Sequence, residues 1–333
     1  MSKTSITVAL DWTPNTNHSG FYLALSQGLY EAAGLTVTLR SPDDPASQNL
    51  TPGKQVATGL ADFGVGPSES VISFATSSSS PSPSPPLVAV ASLCQGSISS
   101  ICCLKSSGIA RPKDLAGKSY ASYCGRFEDA IVRKLVETDG GDGSKVTFKP
   151  LVGHGYDEDD TMEAGSVVAS HLEKGGADST WIFPHWEGVL ADRAGQALTH
   201  FNLQDYDIPY GYSPILMAPA ALAESAATAK FLAATAEGYK IAARDPAAAA
   251  DALCESGHPS LSDKPFVLAS AESIKGCFLD GEGKWGRMDG GRWKAFVGFL
   301  REAGILVDAE GKEIPRGKVD EGAELFTNGG LPE

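Results

Sequence analysis

The sequence predicts an α/β protein of two lobes, with mostly parallel sheets and flanking helices. Three observations lead there. Strand-like apolar runs alternate with helix-like runs, which implies parallel strands joined by crossover helices. Three strand ends open onto loops crowded with aromatic, amide and charged side chains, the usual place for ligands in such folds. At 333 residues the chain exceeds what one hydrophobic core normally supports.

The first strand is expected over residues 6–10. It delivers Asp11-Trp12-Thr13-Pro14-Asn15-Thr16-Asn17-His18 to a helix expected over 21–33 and stopped by Gly34. Residues 35–39 alternate as a second strand. A helix is expected over 48–58 despite Pro52, with Gly59 as its stop. A third strand over 61–65 opens on Gly66-Pro67-Ser68-Glu69-Ser70. The Ser/Pro tract over 77–86 is too polar to pack and reads as an exposed insertion.

Strands follow over 87–91 and 99–104, the latter at the crossing into the second lobe. A short helix over 111–115 precedes a strand over 118–122, which ends in a second dense loop, Tyr123-Cys124-Gly125-Arg126-Phe127-Glu128-Asp129, and a helix to Thr138. A strand over 146–151, an acidic loop over 156–160 and a helix over 162–174 lead to a strand over 179–183. This strand feeds the third loop, Pro184-His185-Trp186-Glu187-Gly188. Residues 198–203 return the chain toward the first lobe. Alanine-rich helices are expected over 222–243 and 246–254, another helix over 292–303, and a loosely ordered tail beyond Asp308. The expected division is therefore 1–98 for the first part of lobe one, 99–200 for lobe two, and 201–333 for the rest of lobe one with the C-terminal helices.

With 41 acidic against 27 basic residues, the net charge of -14 disfavours nucleic acid and anionic lipid as partners. No apolar run is long enough to insert in a bilayer, and the first residues lack the pattern of a secretory signal. A cytoplasmic location is expected, or a periplasmic or secreted one if a leader has been removed. A transporter partner is conceivable only in the exported case. Six cysteines without zinc-type or scaffold spacing read as free thiols, and no metal site is expected.

Each loop carries a functional and a bland interpretation. Trp12 stacks on a planar ligand or plugs the core. Asn15, Asn17 and His18 bind a ligand or cap the following helix. Ser68 and Glu69 face a ligand or act as cap and first-turn acid. Arg126, Glu128 and Asp129 form a site or a salt-bridged helix start. Cys124 is a nucleophile or a small filler, and His185 a ligand group or a core histidine. Glu187, an acid after an apolar strand and beside Trp186, is costly to bury unless something pairs with it.

The first loop, Gly28 with Gly34-Leu35, Ala61-Asp62-Phe63-Gly64, Arg111 to Lys118 and Asp205-Tyr206-Asp207-Ile208-Pro209 together resemble the thiamin-pyrimidine branch of the type II periplasmic-binding-protein fold. That branch includes formylaminopyrimidine-binding proteins and hydroxymethylpyrimidine phosphate synthase, and the similarity runs from about Ile6 to Ala250. It implies a pyrimidine held between lobes by Trp12, Asn15, Tyr123, Gly125, Glu187, Tyr210 and Tyr212; His18, Ser68, Glu69 and Arg126 join them as ligand candidates from the loops themselves. An aminopyrimidine offers a π face for stacking and an amine beside a ring nitrogen for one carboxylate. In the synthase a lysine anchors pyridoxal phosphate and a nearby histidine supplies ring atoms; the matching positions here are Gly66 and Ser70. Its cysteine-rich run falls within 212–218, which has no cysteine, and its phosphate loop falls at 125–129, where two carboxylates are added. The expected function is thus a heterocycle-binding protein without a cofactor. The alternative is an enzyme of thiamin-pyrimidine synthesis or salvage using the same residues, and only that alternative calls for pyridoxal phosphate.

Overall fold

A computed structural model describes residues 3–76, 86–151, 172–308, 311–317 and 319–333. The acidic loop expected over 156–160 and most of the Ser/Pro tract and of the helix over 162–174 lie outside the described residues. The strands are β1 Thr4–Ala9, β2 Leu35–Arg40, β3 Phe63–Gly66, β4 Leu87–Ser92, β5 Ser100–Leu104, β6 Ser119–Ser122, β7 Thr147–Pro150, β8 Ser179–Ile182, β9 Leu198–Phe201 and β10 Ile215–Pro219. The helices are α1 Ser19–Ser26, α2 Leu29–Ala32, α3 Pro52–Ala57, α4 Ser68–Thr76, α5 Glu128–Thr138, α6 Val189–Arg193, α7 Ala226–Arg244, α8 Pro246–Glu255, α9 Lys264–Ile274 and α10 Gly290–Glu302.

The chain forms two compact units. The first holds Met1–Ser97, Gly211–Lys294 and Asp308–Glu333, and the second holds Ile98–Tyr210 and Ala295–Val307. The sheet of the first unit runs β2-β1-β3-β10-β4, with β1 parallel to β2 and β3, and β10 antiparallel to β3 and β4. The sheet of the second runs β7-β6-β8-β5-β9, with β6 parallel to β7 and β8, and β5 antiparallel to β8 and β9. The α/β class is as expected, but each sheet is mixed. Parallel pairing needs a crossover connection. Both β5 and β10 enter their sheets directly from the other unit, with no crossover helix to fix a parallel direction.

The core of the first unit is aromatic. Phe231 stacks on Phe63 with ring centroids 4.6 Å apart, and Tyr239 stacks on Trp285 at 4.8 Å. Helices α1 and α7 approach so closely that a Cβ on Gly238 would lie 2.1 Å from the Gly20 carbonyl oxygen. Only glycine fits there. In the second unit Cys102, Leu172, Ile182 and Ala191 pack together, and Tyr120 meets Phe148 edge-on at 5.6 Å.

Several expected boundaries shift for identifiable reasons. The helix over 21–33 is broken at Gly28, whose φ of 68° is left-handed. The helix over 48–58 begins only at Pro52, which starts a helix readily but disrupts one from within. The third dense loop is instead a single helical turn, Pro184–Gly188. Helix α7 starts four residues later than expected because Ser225 caps it, accepting from the Thr228 amide at 3.1 Å. Helix α9 was not foreseen; Asp263 caps it through the Phe266 amide. The tail beyond Asp308 is not loose where it is described. Phe326 stacks on Trp293 at 5.8 Å, Val319 and Leu325 are buried, and the Thr327 amide bonds the Ala89 carbonyl.

Candidate functional site

In the first unit, β1 ends beside a loop that is folded upon itself. Asn15 caps the turn Thr16–His18: its Oδ1 accepts from the Asn17 amide at 2.8 Å, and its Nδ2 donates to the Thr13 carbonyl at 3.0 Å. His18 is fully buried. Its Nδ1 accepts from the Asn15 amide at 3.3 Å, so the proton sits on Nε2, 3.1 Å from the Asp11 carboxylate. The polar atoms of Asn15 and His18 therefore hold the loop in shape. Distant residues brace it as well. The Tyr239 hydroxyl donates to the Asn17 carbonyl at 2.6 Å, the Ser260 hydroxyl to the Pro14 carbonyl at 2.8 Å, and Thr16 and Ser270 share a hydroxyl contact at 2.7 Å. Trp12, half-buried, is presented from this frame.

Ser68 opens α4 rather than preceding it as a cap. Its amide donates to the Tyr212 carbonyl at 2.8 Å, while its buried hydroxyl has no hydrogen-bond partner among the described residues. Glu69 lies in the first turn of the same helix. Tyr212 is a brace: its hydroxyl accepts from the Asp289 amide at 2.8 Å, and the Arg292 guanidinium lies 4.0 Å above its ring.

The second unit gathers a different set. Glu187 is 4 % exposed and accepts the Phe183 amide at 2.9 Å. Burial pushes its carboxyl up to about 7, against the opposing pull of backbone hydrogen bonds. Tyr123 is 36 % exposed as a residue, while its hydroxyl donates to the Trp181 carbonyl at 3.2 Å. Burial raises that hydroxyl's pKa, and the Glu187 carboxylate raises it further, so the two side chains share one electrostatic neighbourhood. Tyr210 packs at 5.3 Å from Trp181 and 5.1 Å from Phe296. His185 is buried and its pKa is lowered by that burial to about 3, which makes it a neutral core histidine. The sequence did not single out Trp181 or Phe296. Trp181 stood out only as one apolar residue in a strand, and Phe296 lies far along the chain.

The loop before α5 is not the salt-bridged surface start considered from sequence. Glu128 is 7 % exposed; its Oε1 accepts from the Tyr120 hydroxyl and the Tyr123 amide, and its Oε2 from the Gly125 amide. Asp129 accepts from the Ser122 hydroxyl at 2.6 Å. Arg126 points its Nη2 to the Val307 carbonyl at 2.6 Å, with its guanidinium 4.8 Å from the Phe127 ring centroid. Cys124, exposed, adopts a left-handed φ of 59°. Among the described residues no cluster of three or more His, Cys, Asp or Glu could hold a metal, and no helix is long and apolar enough to cross a membrane.

Residues 15–249 match the family described as NMT1/THI5 like. The chain belongs to the NMT1/THI5-like family. The formylaminopyrimidine-binding protein of Halalkalibacterium halodurans is 23% identical to this NMT1/THI5-like chain over 303 residues, covering 89% of it and 84% of that protein. The 4-amino-5-hydroxymethyl-2-methylpyrimidine phosphate synthase of Legionella pneumophila is 26% identical over 138 residues, 41% of this chain and 40% of that protein. Among solved structures, the periplasmic aliphatic sulphonate binding protein SsuA of Escherichia coli superposes with a TM-score of 0.65 at 15% identity, covering 99% of both chains. That likeness establishes a periplasmic-binding-protein-like fold. None of these findings supports the cytoplasmic location expected from the first residues.

One position bears on an anchor for pyridoxal phosphate. Gly66, at the position where the resemblance would place an anchoring lysine, has no amine, and a Cβ there would lie 2.9 Å from the Met217 methyl and 3.3 Å from the Ser70 hydroxyl.

Proposed function

We propose that this NMT1/THI5-like protein binds a pyrimidine-like heterocycle of the thiamin-pyrimidine class without changing it. The observation that carries this reading is Glu187: a buried carboxyl, raised by that burial to about 7, close enough to Tyr123 to shift its hydroxyl electrostatically. An aminopyrimidine complements such a group at two points. Its amine donates to one carboxyl oxygen, and its ring nitrogen shares a proton with the other. With the carboxyl held at about 7, either partner can carry that proton at neutral pH. Tyr123 and Tyr210 of the second unit supply rings. The name of the relative from Halalkalibacterium halodurans agrees with this ligand class.

The reading needs no cofactor, and a transporter partner follows only if the protein is exported. Calorimetric titration with 4-amino-5-hydroxymethyl-2-methylpyrimidine and formylaminopyrimidine tests it, followed by mass spectrometry of the recovered ligand. One-to-one binding with the ligand returned intact is expected. A chemically altered ligand would favour an enzyme, and no heat with either compound would end the pyrimidine assignment.

A further inference from the structure

Three consecutive backbone amides precede α5, at Tyr123, Cys124 and Gly125, and the chain itself satisfies all of them. Glu128 takes those of Tyr123 at 3.2 Å and Gly125 at 3.1 Å, along with the Tyr120 hydroxyl at 2.9 Å. Ser122 Oγ takes that of Cys124 at 2.9 Å, and its own proton goes to Asp129. Successive amides ahead of an eleven-residue helix are the ordinary makings of an anion cradle. Here the cradle holds an internal anion. Burial raises the Glu128 pKa, and the hydrogen bonds from Tyr120, Tyr123 and Gly125, each with the carboxylate as acceptor, pull the other way and favour the ionised group. Tyr123, whose amide it binds, also carries the ring assigned above to the ligand.

We propose that Glu128 determines specificity: its carboxylate fills the amide cradle of the 123–127 loop and thereby excludes phosphorylated or otherwise anionic ligands. The preference concerns the heterocycle-binding reading above, on which it rests. A phosphate monoester brought to this loop would find the donors taken and a buried negative charge in their place. Asp129, one residue on, adds a second. Arg126 is directed at the Val307 carbonyl and the Phe127 ring. Like charges brought this close without compensation weaken binding by roughly tenfold or more.

The test titrates the wild-type protein, Glu128→Gln and Glu128→Ala with three probes: 4-amino-5-hydroxymethyl-2-methylpyrimidine, its phosphate monoester, and inorganic phosphate. Wild type should bind the alcohol at least about tenfold more tightly than the ester and give no heat with phosphate. Glu128→Gln keeps the shape and an acceptor, and should reduce that preference. Glu128→Ala should abolish it and gain phosphate binding. Wild type binding the ester as tightly as the alcohol would overturn the proposal. So would folded variants that keep the wild-type preference within about twofold. If wild type binds neither pyrimidine, the heterocycle reading has failed on its own, and phosphate binding by Glu128→Ala decides this one: a gain supports it, and none overturns it. Should Glu128→Ala fail to fold, wild type and Glu128→Gln carry the test.

Discussion

Replacing Glu187 by glutamine should alter how stability depends on pH, in a direction fixed by the carboxyl's environment. In the unfolded chain the group titrates near its ordinary value of 4.5; in the folded protein burial raises this to about 7. Between those values the folded state holds a proton that the unfolded state has released, so stability falls as pH rises through the window. The full contribution is present below about 4.5 and is gone above about 7. At about 1.4 kcal/mol per pH unit, the loss across the window comes to about 3 kcal/mol. Glutamine does not titrate and can still accept the Phe183 amide through its carbonyl oxygen. Urea unfolding of both proteins from about pH 5 to about pH 8 isolates the effect, because the other groups cancel in the difference. The variant should gain about 2–3 kcal/mol on wild type over that range. A difference that stays flat with pH, or that moves in wild type's favour at high pH, would refute the reasoning.

Other substitutions probe the frame around the first loop. Gly238→Ala drives a methyl group into the Gly20 carbonyl oxygen, and should cost about 3 kcal/mol or more, read from the urea midpoint. Tyr239→Phe leaves the buried Asn17 carbonyl without its hydroxyl donor and should cost about 1–2 kcal/mol, read from the urea midpoint. His18→Ala strands the Asn15 amide and opens a cavity; thermal unfolding should register a loss of about 2–4 kcal/mol.

Local patterns carried most of the fold. Alternation and turn residues marked β1, β2 and β3 because each is a short apolar run ended by Gly or a polar loop. Helix α9 escaped because its inward face, Phe266, Val267, Ser270, Ala271 and Ile274, mixes small and polar residues with apolar ones and gives little amphipathic signal. The packing of the tail was invisible because Phe326 depends on Trp293 and on β4, partners remote in sequence. The crowding of polar groups around Asn15 and His18 was plain. That their atoms would be used within the loop depends on a folded geometry that composition does not contain. Glu187 was legible as an acid in an apolar setting. Glu128 was not, since acids at helix starts usually face water, and its burial depends on Tyr120 one strand earlier.

The most direct test is calorimetry of wild type and Glu187→Gln with 4-amino-5-hydroxymethyl-2-methylpyrimidine at neutral pH. Wild type should bind one equivalent, and the variant, which loses the group able to share a proton with the ring nitrogen, should bind at least about tenfold more weakly. Equal affinity in the two proteins, or no binding by wild type, would contradict the account.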